Sequence, residues 1–255
     1  MVVVEYLWQV ICQVLQILMI GLLPYVIFAL LMQFISNNIR IRLASLLGLK
    51  GYIYITAPGV MIHELSHAFF CLVFLHKIVE IKLFSPEADG TLGYVNHSFD
   101  PGNLFHRIGN FFIGTGPVWG GVFMLWVVTL IFLPSGIMEF DRGLLAALRD
   151  FMEHIFSAGF WGRWQSYCWI YLVLTISSHI TLSPSDLSGA KEGVVTLLAT
   201  VLLFELLLGW SRPIGAWVEK VLYQLFTYIS SILGIFLLLT LLWSMILSVL
   251  IKKSR

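Results

Sequence analysis

Two imidazoles and one carboxylate carry the most specific chemistry in this chain, in the run His63-Glu64-Leu65-Ser66-His67. Residues four apart project from one face of a helix, and Glu64, three before His67, shares that side. Histidines so placed can bind one Zn²⁺ while the carboxylate takes a proton from an attacking water, as in zinc-dependent proteases. The flanks are apolar: Tyr52-Ile53-Tyr54-Ile55 before, Ala68-Phe69-Phe70-Cys71-Leu72-Val73-Phe74 after. An ionisable side chain at the centre of a membrane helix costs about 2.5–3.5 kcal/mol, so such groups there mark function. The bland alternative buries both histidines as hydrogen-bonded groups between helices. It leaves adjacent Glu64 without a partner in hydrocarbon.

A catalytic zinc site takes three protein ligands plus water, so a third ligand must come from elsewhere. The best source is the segment 177–190, where Pro184 disrupts helix and Asp186 stands at the start of the next apolar helix. Asp186 is the only acidic residue between Arg163 and Lys191. Irregular backbone at membrane depth must be buried in protein or line a water-filled cavity. Asp186 is therefore the expected third ligand. His179 is the rival, or a group that orients a ligand from behind. Glu192 and Glu205 are weaker candidates, and Asp186, Ser185 or Ser183 could instead serve only as a helix N-cap.

The elements that must hold these groups are membrane helices. The chain is 59% hydrophobic and 11% charged, with mean hydropathy +0.91, far from soluble averages. A net charge of +1 offers no basic field for nucleic acid. Cys12, Cys71 and Cys168 lie far apart in apolar stretches and read as packing residues. The first apolar run lacks a basic leader and a small-residue cleavage site, and reads as a retained span.

At about 20 apolar residues per span, the pattern predicts an all-α polytopic membrane protein with about six transmembrane helices. They run over about 7–35, 51–77, 108–133, 164–182, 191–210 and 221–251. Residues 1–255 form one domain, with a catalytic core at about 51–210 and peripheral helices at 7–35 and 221–251. Arg40, Arg42 and Lys50 mark 36–50 as a short basic connector. Residues 135–162 form either an interfacial amphipathic helix or a solvated loop. The 15 Lys and Arg divide almost evenly between the two sides, so the positive-inside rule selects no orientation.

After the histidine helix, Val79-Glu80-Ile81-Lys82-Leu83-Phe84 alternates polar and apolar, and Asp89-Gly90 signals a turn before Thr91-Leu92-Gly93-Tyr94-Val95-Asn96-His97. That predicts a short membrane-associated β-hairpin. Its free edge could bind an extended peptide by strand addition, or the hairpin could simply cap the bundle. His97 and His106 are expected to be solvated or hydrogen-bonded, not ligands. Gly114, Gly116, Gly120 and Gly121 would let the third helix approach the histidine helix closely.

The chain resembles the site-2-protease family of intramembrane zinc metalloproteases. The resemblance rests on His63-Glu64-Leu65-Ser66-His67, on Gly114-Thr115-Gly116-Pro117 in the next helix, and on Pro184-Ser185-Asp186-Leu187-Ser188-Gly189. It implies that His63, His67 and Asp186 hold Zn²⁺ and that Glu64 is the base. It also implies β-structure after the zinc helix and substrates that are proteins or peptides in the lipid bilayer. The chain departs from the family at Ser178, where the pattern has Asn, and at Leu187, where it has Gly. A catalytically idle membrane scaffold that keeps its zinc is the other reading, and Glu64, which a structural site does not need, argues against it. A transporter built on the 183–189 break would call for repeat symmetry, and none is detectable.

Overall fold

Two apolar stretches in this chain are interrupted at Thr56 and Thr115, each just before a helix with proline in its first turn, and not where hydropathy falls. The structure, a computed structural model, describes residues 2–17, 23–134, 144–208 and 233–245, with positions 19, 220, 224, 247 and 248. Helices α1 (Val2–Ile17) and α2 (Leu23–Ile55) are followed by α3 (Ala57–Val73), which carries the His-Glu-x-x-His run. Strands β1 (Lys77–Lys82) and β2 (Tyr94–Ser98) come next. Then come α4 (Leu104–Gly114), α5 (Gly116–Phe132), α6 (Leu144–Ile155), α7 (Ala158–Trp161), α8 (Trp164–Ser177) and α9 (Pro184–Leu208), and a last apolar helix α10 (Leu233–Met245).

The expected count of six spans is not reached. Among the described residues, α2 alone is long and apolar enough to cross a membrane, and α4 with α5 qualifies only as a pair bent by 60°. The expected span 51–77 begins in the last turn of α2, and α3 supplies only 17 residues of it. Pro58 in the first turn of α3 and Pro117 in the first turn of α5 sit at these interruptions, since proline suits a helix start and breaks an interior. Hydropathy is blind to both because the flanking residues stay apolar. Nearly half of 221–251, part of 7–35 and the stretch 135–143 lie outside the described residues.

The basic connector at 36–50 is a second correction. Those residues continue α2, which runs 33 residues and kinks at Gly48, φ 72°. Leu43-Ala44-Ser45-Leu46-Leu47 contains no helix breaker, and Gly48 takes the left-handed conformation that other residues avoid. Arg42 is not solvated: its guanidinium donates to the carbonyl and hydroxyl oxygens of Ser244, tying α2 to α10. The 135–162 stretch, where described, is helical in α6 and α7.

The core gathers Phe28 and Met32 of α2, Val118 and Leu125 of α5, Trp169 and Ile176 of α8, and Phe236 of α10, all buried. Within it the Trp169 indole N–H donates to Thr129 Oγ1 at 3.1 Å, which satisfies a donor that burial would otherwise strand. The expected hairpin forms: β1 and β2 pair antiparallel from Lys77 with Ser98 to Lys82 with Tyr94, with a bulge between Ile78 and Glu80. Gly90 turns the chain at φ 94°. The Thr91 N–H donates to Asp89 Oδ1 at 2.9 Å, and this bond holds the Asp89 carboxyl below its usual range.

Only Gly116 and Gly120 meet α3, both at Ser66; Gly114 abuts the Asp186 carbonyl on α9, and Gly121 abuts Ile180. α4 also lies close on α9, where a methyl group at Gly193 would lie 2.1 Å from the Phe111 backbone nitrogen. Gly193→Ala should therefore destabilise by about 1–3 kcal/mol through overpacking. Gly189→Ala, on the same helix with open space around it, should stabilise by about 0.4–1 kcal/mol. Thermal midpoints in detergent check this, and a drop for both variants would mean the helix spacing is misassigned.

Candidate metal centre

Three helix boundaries converge on the two histidines. Pro117 has no N–H, so the carbonyl of Ile113, four residues earlier, has no intrahelical donor. That carbonyl accepts from His67 Nδ1 at 2.7 Å. On the opposite side α8 has ended at Ser177, and the N–H of Ser183 is committed to Asp186 Oδ2 at 2.7 Å. The His179 carbonyl is thereby free, and it accepts from His63 Nδ1 at 2.9 Å. Each imidazole donates through Nδ1 to a backbone carbonyl, which fixes its tautomer and presents a lone pair on Nε2.

Asp186 is held by a reciprocal pair of bonds. Its Oδ2 accepts from the Ser183 N–H, and its own N–H donates to Ser183 Oγ at 3.2 Å. This is a capping box at the start of α9, with Ser183 as N-cap. Capping and ligation are the two roles open to Asp186, and the geometry leaves one carboxylate able to serve both. Oδ2 closes the cap while Oδ1 stands 3.3 Å from His67 Nε2.

His63, His67 and Asp186 could hold a metal ion: one ligand atom from each lies within 4.8 Å of the others. The two Nε2 atoms are 3.3 Å apart. Bonds of about 2.0–2.2 Å in a tetrahedral site put neighbouring ligand atoms about 3.3–3.6 Å apart. The His–His and His67–Asp186 separations match, and the longer 3.8 Å contact from His63 Nε2 is to Oδ2, the oxygen engaged by the cap. With no cation between them, two lone pairs and a carboxylate oxygen at these distances would only repel. The donor set fits a metal.

His179 is not a ligand. Its carbonyl orients His63, while its ring packs against Tyr52 with centroids 6.1 Å apart. Its Nε2 is buried without a hydrogen-bond partner among the described residues. Glu192 lies outside the ligand group, and the Glu205 side chain falls outside the described residues.

The three groups and Glu64 line one cavity of about 550 Å³, within the range of small-ligand sites. Glu64 is 7% exposed and makes no hydrogen bond among the described residues. Gly93 roofs it so closely that a methyl group there would sit 2.8 Å from Glu64 Cγ. Residues 93–97 of the second strand and its approach all line the cavity. A strand showing one face would contribute alternate residues, so this run presents its backbone edge.

Sequence reasoning missed a histidine cluster at the far end of this strand. His76, buried just past α3, has its Nδ1 3.0 Å from His97 Nδ1 and donates through Nε2 to the His106 carbonyl at 2.9 Å. Burial first, then a neighbouring imidazole, holds His76 and His97 below the usual histidine range. Two neutral rings sharing one proton pin β2 to α3 and α4. His97 and His106 are hydrogen-bonded, as expected, although separations of 21 and 30 residues from His76 left no pattern to read. No family model, curated protein or solved structure matches the chain, so the site stands on its own geometry.

Because the cap and the ligand functions use different atoms, substitution can separate them. Asp186→Asn keeps an acceptor for the Ser183 N–H but loses the anion. It should retain the fold while divalent metal content falls well below the one ion per chain expected of the wild type. His67→Ala should do the same, whereas His179→Ala, which keeps its carbonyl, should stay near the wild-type content. Elemental analysis of purified protein checks this, and full metal in Asp186→Asn would reduce Asp186 to a cap.

Proposed function

We propose that this chain is an intramembrane zinc endopeptidase of the site-2-protease kind, hydrolysing peptide bonds of membrane-embedded or membrane-associated proteins. The observation that carries the reading is Glu64, opening without a partner into the cavity where His63, His67 and Asp186 converge. A purely structural metal site has no use for such a carboxylate. Nitrogen and carboxylate ligands at tetrahedral spacing favour zinc, and three protein ligands leave one position open, as catalytic sites do.

When bound, zinc polarises the scissile carbonyl and lowers the pKa of water. Glu64 takes the proton from the attacking water as its oxygen bonds to the carbonyl carbon. It then delivers that proton to the nitrogen as the C–N bond breaks, leaving a carboxylic acid and an amine, which exchange a proton to the carboxylate and ammonium. The Ile113 and His179 carbonyls hold both imidazoles in place through the cycle. The strand edge at 93–97 supports an extended peptide as the bound form, because main-chain donors and acceptors along an open edge pair with any sequence.

Several features favour a multi-pass membrane setting. Large apolar side chains face outward on successive helices, among them Leu30 and Phe34 of α2, Phe69 and Leu72 of α3, and Leu130 and Ile131 of α5. In water so much exposed apolar surface would aggregate. Trp161, Trp164 and Tyr167 cluster exposed at the start of α8, the composition of a membrane interface. From that level the 14 residues of α8 rise about 21 Å. The break at 178–183 would then lie inside a hydrocarbon layer roughly 30 Å thick. The bent pair α4–α5 and the shorter helices would complete their crossings only together with their neighbours.

Glu64→Gln should keep fold and metal but lose cleavage by about 10²–10⁴-fold, because an amide cannot accept the proton. Comparing membrane peptides released in cells carrying each version reads this directly. If both versions give the same fragments, the peptidase assignment fails and a metal-holding scaffold subunit takes its place.

A further inference from the structure

The cavity extends past the metal centre along α9 and α4, and its charges are unbalanced there. Its charged lining residues are Glu64, Asp186 and Glu192, with no lysine or arginine among them. A divalent cation on His63, His67 and Asp186 offsets two of the three carboxylates. Glu192 remains. It forms no ion pair among the described residues, and its exposed carboxylate accepts one hydrogen bond there, from Asn110 Nδ2 at 3.5 Å, at the outer limit of such contacts. Asn110 is only 5% exposed and lines the same cavity. Its carboxamide oxygen accepts no hydrogen bond among the described residues and is left open to the cavity rather than sealed from it. A carboxylate and an unpaired amide oxygen side by side, at the wall of an otherwise neutral cavity, form a receptor for a cationic donor.

We propose that Glu192, positioned by Asn110, selects peptide substrates carrying a lysine or arginine near the scissile bond. This rests on the peptidase reading and adds a substrate class to it. Glu192 follows Asp186 by six residues on α9, about 9 Å along the axis. At about 3.3 Å per residue of extended peptide, the cationic side chain falls two or three residues from the cut.

The test uses zinc-loaded full-length Glu64→Gln protein, which binds without cutting. The probes are synthetic apolar peptides in which a single lysine is stepped along the sequence, each with a glutamine and a glutamate counterpart. At one position or two adjacent positions, lysine should tighten Kd about threefold to fivefold over glutamine, the range of a partly exposed ion pair. Adding Glu192→Gln should erase that advantage. Glutamine can still accept from Asn110, so the change reports the charge and not the tie between helices. Adding Glu192→Lys should turn the preference toward the glutamate peptides. Equal binding of lysine and glutamine peptides, a lysine preference that survives Glu192→Gln, or no binding by any peptide overturns the proposal. Wild-type cleavage of the same peptides tests the other reading separately. Lysine-selective binding without cleavage sinks the peptidase, and cleavage without lysine selectivity sinks the role of Glu192.

Discussion

A backbone carbonyl that loses its helical donor must find another, and the candidate centre is organised by that requirement. Pro117 deprives Ile113 of its partner, and the end of α8 deprives His179 of one. Each orphan is satisfied by an imidazole N–H from α3. An unpaired buried carbonyl costs about 1–3 kcal/mol, so the broken helices and the histidine helix stabilise one another. The imidazole tautomers follow from a debt of backbone hydrogen bonds incurred elsewhere. The 60° bend between α4 and α5, which looks like a defect in a membrane span, is what makes an acceptor available at His67.

Legibility in the sequence followed the kind of group involved. His63, Glu64 and His67 could be read because side-chain spacing on one helix maps directly to one face. Asp186 was found by elimination, being the lone acid beside a proline break, and its partner Ser183 was visible as a possible cap. The Ile113 and His179 carbonyls were not legible as ligand holders, since every residue has a carbonyl and none is marked. Pro117 and Pro184 were the available signals, and Pro117 was noticed only as part of a small-residue run. The hairpin was legible from alternation and Asp89-Gly90. The six-span pattern was not matched, because windowed hydropathy averages over Thr56 and Thr115, where the helices stop while the side chains stay apolar. The extension of α2 through 36–50 is not legible because Arg40, Arg42 and Lys50 mark a short basic connector by composition, while Arg42 in fact reaches Ser244.

The cavity joins two kinds of surface with different tolerances. Its α3 and α9 sides fix both imidazoles and Asp186 through specific hydrogen bonds, with Glu64 left without one among the described residues. Its β2 side is a backbone edge, indifferent to the identity of a peptide laid against it. In the proposed peptidase, precision would reside at the histidines and Asp186, and permissiveness along the peptide being held. Glu192 and Asn110 stand at the margin between the two, where a single charge can bias an otherwise sequence-tolerant groove.

The centre draws on residues 63–67, on the carbonyl at 113 and on residues 179–186, contributed by α3, the α4–α5 bend and the α8–α9 break. During synthesis these segments emerge in that order, and α3 arrives with its histidines unsupported. Neither imidazole has its full set of partners until α9 has begun. A nascent chain halted before Ser183 carries the signature motif yet lacks the anion and one of the two orienting carbonyls' fixed neighbours. Under the proposed function, metal loading would be coupled to completion of the bundle, and a stalled or clipped product would stay inert.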